Sequence, residues 1–378
     1  MKRVLILGGG FGGVAAAYRL KQVLEGSDEV LLVDRRPYFM MGLRKTWGLV
    51  DAAPLEAGQR PLNRLSRIGV QVLNDAVTKI EPGARAIVVG GRRIEADALV
   101  VALGAETAPQ ALPGLAENSI NVYDPAEIRR AAESLREMKQ GKLAIGVFGI
   151  PYKCPPAPYE MALLSNEYLR SKHLQVNVEV FTPQPMSLPV LGQAGCDVIE
   201  SRLAENGVTF LPNHKATAVE PGQVLFGDRQ RPFDLLFAVP PHRPPAVVRE
   251  SGLAGDSGWV WVDPQTLETH FAGVYAIGDV VEIAMANGKP LPKAGVFAEA
   301  MGVVVAERIA AQFAGEESGA KFTGEGGCYL EVGAGQAMMV RGNFLAEPEP
   351  EVTLTEAAPR YWEEKRAFEA QRLEKWFA

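Results

Sequence analysis

One short segment limits what this chain can fold into more than any other. Val4-Leu5-Ile6-Leu7 reads as a buried strand, Gly8-Gly9-Gly10-Phe11-Gly12-Gly13 follows at once, and Val14–Leu24 has the look of a helix. Glycines at positions 8, 10 and 13 match the G-x-G-x-x-G pattern between strand and helix. The first permits the tight turn, the second lets backbone approach a pyrophosphate, and the third lets helix pack on strand. The helix N-terminus then offers N–H donors and partial positive charge to the phosphates. A second strand, Glu29–Val33, ends at Asp34, 21 residues after Gly13, the spacing of a carboxylate that grips a ribose hydroxyl. The chain must therefore open with a βαβ unit. This fingerprint alone does not separate FAD from NAD.

The rest of the chain continues the alternation. Short strands are expected at Val70–Leu73, Ala86–Val89 and Ala98–Leu103, a helix at Pro125–Lys139, a strand at Leu143–Phe148, a helix at Pro158–Ser171 and a strand at Asn177–Phe181. Strands alternating with helices across short connections predict parallel sheets covered on both faces. From about Asp234 the pattern of the first domain is expected to resume, with a strand at Val274–Ile277 and a long helix at Ala294–Phe313. Gly324–Val340 reads as β structure, the Pro-Glu run at 347–351 as a linker and Pro359–Phe377 as a terminal helix. The fold class is thus α/β, with two Rossmann-like dinucleotide-binding domains and a small C-terminal region ending in an amphipathic helix. We place the first domain at 1–108 and 245–320, the second at 109–244 and the C-terminal region at 321–378.

Composition excludes several classes. Apolar residues make up 47% and charged residues 22% of the 378, which is ordinary for globular chains and too apolar for a disordered one. The net charge of −6, with no basic domain, argues against nucleic acid as a partner. Three cysteines are too few for a disulfide framework. His173, His214, His242 and His270 have no metal-ligand spacing, so no metal is expected. His242 is the best acid/base candidate among them, although a surface role is the simpler reading. The opening apolar stretch is too short for a signal-peptide core. Ala294–Ala314 carries Glu299, Glu307 and Arg308 and does not suit a lipid-spanning helix. The expected location is the cytosol or the cytoplasmic face of a membrane.

Two further segments decide the cofactor. Leu99-Val100-Val101-Ala102-Leu103-Gly104-Ala105 ends a strand in a small-residue turn, and Val274-Tyr275-Ala276-Ile277-Gly278-Asp279 ends another in Gly-Asp. They resemble the two additional flavin fingerprints of the two-dinucleotide-domain flavoproteins, a group that includes the disulfide reductases. The resemblance implies FAD, with Asp279 on the ribityl chain. It implies contacts from Gly8, Gly10, Phe11, Gly12, Gly13, Asp34, Arg35, Val77, Ala102, Gly104 and Gly278. It also places Lys293, Ala294 and Gly295 beside the flavin pyrimidine ring, where a helix N-terminus and a lysine would stabilise the reduced anion.

The second domain lacks the matching glycines. Its strand ends Val147-Phe148-Gly149-Ile150-Pro151-Tyr152-Lys153-Cys154-Pro155-Pro156-Ala157-Pro158, where bulky residues replace glycines and four prolines remove N–H donors. A pyridine nucleotide is therefore not the expected reductant. Instead, Lys153-Cys154-Pro155-Pro156-Ala157-Pro158-Tyr159-Glu160 and Gly326-Gly327-Cys328-Tyr329 resemble the two cysteine motifs of sulfide:quinone oxidoreductases and of the flavoprotein subunit of flavocytochrome c sulfide dehydrogenase. Pro240-Pro241-His242-Arg243-Pro244 resembles a segment of the same family. The resemblance implies a Cys154/Cys328 redox pair with Cys328 next to the flavin, sulfide as substrate and quinone as acceptor. Cytochrome c is the alternative acceptor, and a non-enzymatic FAD-binding sulfur sensor or carrier is an alternative function. Without the resemblance, two cysteines read as inert packing or a cross-link. Cys196 is expected to be core filling.

On a helical wheel, Tyr361, Trp362, Leu373, Trp376 and Phe377 share one side of the terminal helix with Lys365, Arg366 and Arg372. The expectation is a peripheral membrane contact through this helix. Glu369 falls on the same side and does not fit it. Docking on its own domain or on a second copy in a homo-oligomer is the competing reading.

Overall fold

The computed structural model describes all 378 residues. Two five-stranded sheets organise the chain, and every pairing in both is parallel. The first runs in the order Val274–Ala276, Ala98–Val101, Arg3–Leu7, Glu29–Val33, Val70–Leu73. The second runs Ile120–Asn121, Leu235–Val239, Gln140–Val147, Gln175–Phe181, Thr209–Leu211. Central strands such as Val4–Leu7 and Ala98–Val101 are buried throughout, as strands covered on both faces must be.

Helix Phe11–Val23 joins the first two strands of the first sheet and lies against helix Gly295–Ala314. Small residues bring the two backbones together: a Cβ on Gly302 would stand 2.4 Å from the Gly12 carbonyl oxygen. This contact fixes the N-terminus of the second helix beside that of the first, and both ends carry the site described below.

Several boundaries differ from those expected. The strand Leu235–Val239 pairs with Gln140–Val147, so the chain is still in the second sheet beyond Asp234 and rejoins the first only at Val274. Apolar periodicity marks a buried strand without saying which sheet takes it. The segment expected as a helix from Pro125 begins with a 3-10 turn at Pro125–Glu127, held by the Asp124 carboxylate accepting from the Ala126 N–H, and is α-helical only over Ile128–Glu137. The last residue of the Pro-Glu run already opens a strand: Glu351–Leu354 is the third strand of an antiparallel sheet with Glu325–Gly333 and Gln336–Asn343.

The terminal helix Pro359–Phe377 docks on its own chain. Tyr361, Leu373, Trp376 and Phe377, expected to face lipid, are 6%, 5%, 3% and 1% exposed. Trp376 and Phe377 meet the ring of Phe39, and Trp376 also meets Phe11 edge-on at 5.8 Å between centroids. Burial of side chains this large is worth about 1.5–3 kcal/mol each, which explains why the stripe turns inward. Glu369, the residue that did not fit a lipid-facing stripe, pairs with Arg44 at 2.6 Å. Four of the five stripe residues are therefore core, while Trp362 is half-buried with the exposed Arg366 4.0 Å above its ring. No helix is long and apolar enough to cross a membrane.

Candidate active site

The nucleotide end of the site is built from backbone. Gly8 has φ +106°, and a Cβ there would come to 2.3 Å from the Ala102 carbonyl oxygen, so the turn out of the first strand requires glycine. A Cβ on Gly10 would meet nothing within 4 Å, which leaves room for an approaching phosphate. The N–H groups of Phe11, Gly12 and Gly13 find no acceptor in the protein. Asp34 is buried and accepts from the Gly9 N–H at 2.6 Å and the Arg36 N–H at 2.8 Å, which locks its carboxylate at the strand end. Arg35 pairs with Glu106 at the surface, and Val77 opens an antiparallel hairpin.

The flavin end is marked by an orphan. Asp279 Oδ1 is buried with no partner, which is what a carboxylate meant for a ribityl hydroxyl should show. At the N-terminus of helix Gly295–Ala314, the N–H groups of Gly295, Val296 and Phe297 are likewise without acceptors. Open glycine backbone, free donors and an orphaned acceptor together fit FAD. Lys293 sits at this corner, but its ammonium is turned to the protein. It donates to the carbonyls of Asp279 and Val281 at 2.8 and 2.9 Å and lies 3.5 Å from the centre of the Trp259 ring. Burial pulls its pKa down to about 8, against the opposing pull of Asp279.

The second domain offers no such cradle. A Cβ on Gly149 would stand 2.8 Å from Pro241, so this glycine serves close packing. At the N-terminus of helix Ala157–Ser171 the Ala157 N–H bonds the Cys154 carbonyl, the Tyr159 and Glu160 N–H groups bond the Pro156 carbonyl, and Pro158 has none to give. The donors a pyrophosphate would need are consumed.

Cys154 and Cys328 come together from different segments. Cys154 lies three residues before helix Ala157–Ser171 with φ +50°, its N–H bonded to the Lys293 carbonyl at 2.7 Å and its carbonyl accepting from the Tyr123 hydroxyl at 3.1 Å. Cys328 lies on strand Glu325–Gly333. Both are free, half-buried cysteines; the Cys328 thiol points to its neighbour's carbonyl, Tyr329 O, at 3.8 Å, and the two side chains are near enough for each to shift the other's titration. That proximity lowers the Cys154 pKa and raises that of Cys328, with Lys45 and Lys365 also favouring a Cys154 thiolate. A position just ahead of a helix N-terminus acts in the same direction. Cys196 is different: it is fully buried in helix Gly192–Glu205, donates to the Leu188 carbonyl at 3.1 Å, and burial raises its pKa.

A buried charge cluster supports the cysteine segments. Lys365 of the terminal helix is 2.7 Å from Glu160 and 2.9 Å from Glu331. Glu331 also accepts from the Trp47 indole, and its own N–H donates to Glu160 at 3.1 Å. Glu160 follows Cys154 by six residues and Glu331 follows Cys328 by three. Burial raises the Glu160 pKa, Lys365 opposes that rise and Glu331 adds to it.

His242 is not at the surface; it is 8% exposed. Its Nδ1 lies 2.8 Å from the Pro240 carbonyl, and its ring meets Tyr123 edge-on at 5.4 Å. Burial first, then Lys153, push its pKa down to about 3, so the ring is neutral. Sequence reasoning did not find Lys45, Trp47, Tyr123, Glu331 or a role for Glu160. No motif flags them, because their importance comes only from which segments meet.

Comparison with known proteins agrees with this geometry. The model of the pyridine nucleotide-disulphide oxidoreductase family matches residues 2–302. The chain belongs to that family. It is an FAD-dependent oxidoreductase. Within the family it is 24% identical over 363 residues to the mitochondrial sulfide:quinone oxidoreductase of Mus musculus, covering 91% of this chain and 79% of the mouse protein. It is 30% identical over 251 residues to an NADH dehydrogenase-like protein of Mycobacterium tuberculosis, covering 61% of this chain and 60% of that protein. The solved sulfide:quinone oxidoreductase of Aquifex aeolicus superposes with a TM-score of 0.90 at 23% identity, over 100% of this chain and 91% of that one.

Proposed function

We propose that this oxidoreductase oxidises sulfide to sulfur or polysulfide through the Cys154/Cys328 pair and passes the electrons by way of FAD to quinone. The observation that carries the reading is that Lys365 ties the Cys154 and Cys328 segments together through Glu160 and Glu331 beside an FAD-type cradle, in a chain whose second domain has its pyrophosphate donors already engaged. Similarity to proteins named for sulfide and quinone points the same way.

In this reading the resting pair is a disulfide. Hydrosulfide attacks the Cys154 sulfur, the bond to Cys328 breaks, and Cys328 leaves as thiolate while Cys154 carries a persulfide. Bound FAD supplies the two-electron acceptor that draws electrons from the pair. Loss of two electrons and one proton joins the outer persulfide sulfur to Cys328 as a sulfur bridge, and a second hydrosulfide carries that bridging sulfur away as HSS− while Cys154 and Cys328 re-form their disulfide. Asp279, Asp34 and the two helix N-termini hold the cofactor, and the Tyr123 hydroxyl and Lys293 carbonyl fix the Cys154 backbone. Quinone is lipid-soluble, so we place the protein peripherally at a membrane, with Trp362 and Arg366 as the part of the terminal helix left to meet it.

Anaerobic reduction by sulfide followed by addition of a soluble ubiquinone analogue or cytochrome c tests the acceptor. Fast reoxidation by the quinone is expected. Reoxidation by cytochrome c alone would move the reading to a sulfide dehydrogenase flavoprotein subunit, and no turnover with either to a sulfur carrier.

A further inference from the structure

Lys45 stands out among the charged groups near the cysteines. It lies on the short helix Arg44–Leu49 with its ammonium 5.6 Å from the centre of the Tyr123 ring, and that ring's hydroxyl bonds the Cys154 carbonyl. The Lys45 ammonium has no carboxylate and no hydrogen-bond acceptor in the protein, whereas Lys365 on the other side of the pair has two carboxylates. Lys153, the neighbour of Cys154 in sequence, spends one N–H on the Ala105 carbonyl at 3.1 Å and keeps its charge in the same region. A second orphan faces this cluster. His242 Nδ1 must carry the proton, since it meets a carbonyl, so the buried Nε2 is a bare acceptor, and it has no partner. Two half-buried cations and one buried, unfilled acceptor thus gather at this corner, and the acceptor is costly to leave without a donor.

We propose that Lys45, Lys153 and His242 form a seat for hydrosulfide beside Cys154, a small monoanion with one S–H donor. The proposal rests on the sulfide reading above and gives it a substrate site. The ammonium groups balance the sulfur charge, and His242 Nε2 accepts the S–H, which leaves the sulfur lone pairs free to meet Cys154. Neutral small molecules gain nothing there, so the seat also selects for anions.

The groups that face Lys45 set its pH range. Lys153 and Cys154 act from the loop before helix Ala157–Ser171, Asp279 from the turn after Val274–Ala276, and Arg36 from the turn after Glu29–Val33. Burial and Lys153 lower its pKa to about 8, with Cys154 and Asp279 opposing. The seat is therefore charged at neutral pH and discharges above about pH 8.

The test does not depend on sulfide. Cys154 of the reduced holoenzyme is alkylated with iodoacetate, an anion, and with iodoacetamide, its neutral counterpart, and the modified peptide is quantified by mass spectrometry. Relative to a free thiol, the wild type should favour iodoacetate by on the order of tenfold, the size expected of one nearby charge in a partly screened site. The preference should weaken between pH 7 and pH 9, fall several-fold in Lys45→Met and Lys45→Gln with Lys153 carrying the remainder, and persist to higher pH in Lys45→Arg. A wild-type enzyme with no anion preference, or Lys45→Met and Lys45→Gln variants that keep it in full, would overturn the seat. Failure of the sulfide reading shows separately, as a holoenzyme whose flavin sulfide does not reduce.

Discussion

The Lys365 ammonium lies 2.7 Å from the Glu160 carboxylate with both side chains sealed from solvent, and this contact ties the last helix to the segment that carries Cys154. With Glu331 as the second carboxylate, Lys365 holds both cysteine-bearing segments at once. The C-terminal region is thus anchored to both segments that carry the cysteines.

Removing that cation leaves two carboxylates buried without compensation. Lys365→Met should destabilise the holoenzyme by about 3–5 kcal/mol, read by urea unfolding followed through flavin release. Glu160→Gln in the same chain should restore part of the loss, because it removes one of the stranded charges. Additive losses in the double variant would show that the buried pair is not coupled.

Asp279→Ala should weaken FAD retention, since the ribityl hydroxyls lose a charged acceptor worth about 1.5–3 kcal/mol. The ratio of flavin to protein absorbance after gel filtration measures it. Full occupancy in that variant would remove the ribityl assignment.

Cys154→Ser and Cys328→Ser should each abolish sulfide-driven flavin reduction while FAD stays bound. Cys196→Ser should turn over near the wild-type rate, because its thiol faces the Leu188 carbonyl inside a helix packing layer. Full activity in Cys328→Ser would exclude its role next to the flavin.

His242 predicts an acid-side loss of stability. Its folded pKa of about 3 lies below the ordinary value near 6.5, so between those limits the unfolded chain binds the extra proton and stability falls as pH is lowered. Above about pH 6.5 both states are neutral at this ring and the term vanishes. His242→Gln should flatten the pH dependence of the unfolding midpoint between pH 4 and pH 6.5; an unchanged slope would show that other groups carry it.

What the sequence made legible was local and periodic. Gly8, Gly10 and Gly13 between a buried strand and a helix define the first βαβ unit, and the structure builds it there with Asp34 at the expected strand end. The terminal helix was legible as a helix but not as to what its face meets. Tyr361, Trp376 and Phe377 give the same helical wheel whether lipid or Phe39 covers them. Glu369 was the informative residue, since an acid among aromatics needs the partner that Arg44 provides. Lys45 and Tyr123 were silent for a related reason. Lys45 lies on a short helix and Tyr123 in the turn after Ile120–Asn121, neither within a motif, and only the folded chain brings them to Cys154.

The most direct test of the central claim is anaerobic stopped-flow mixing of the oxidised holoenzyme with sulfide or with NADH, followed by flavin absorbance. The account predicts rapid bleaching by sulfide, none of comparable rate by NADH, and loss of the sulfide response in both Cys154→Ser and Cys328→Ser. Bleaching by NADH at the rate of sulfide, or by sulfide with either cysteine removed, would contradict it.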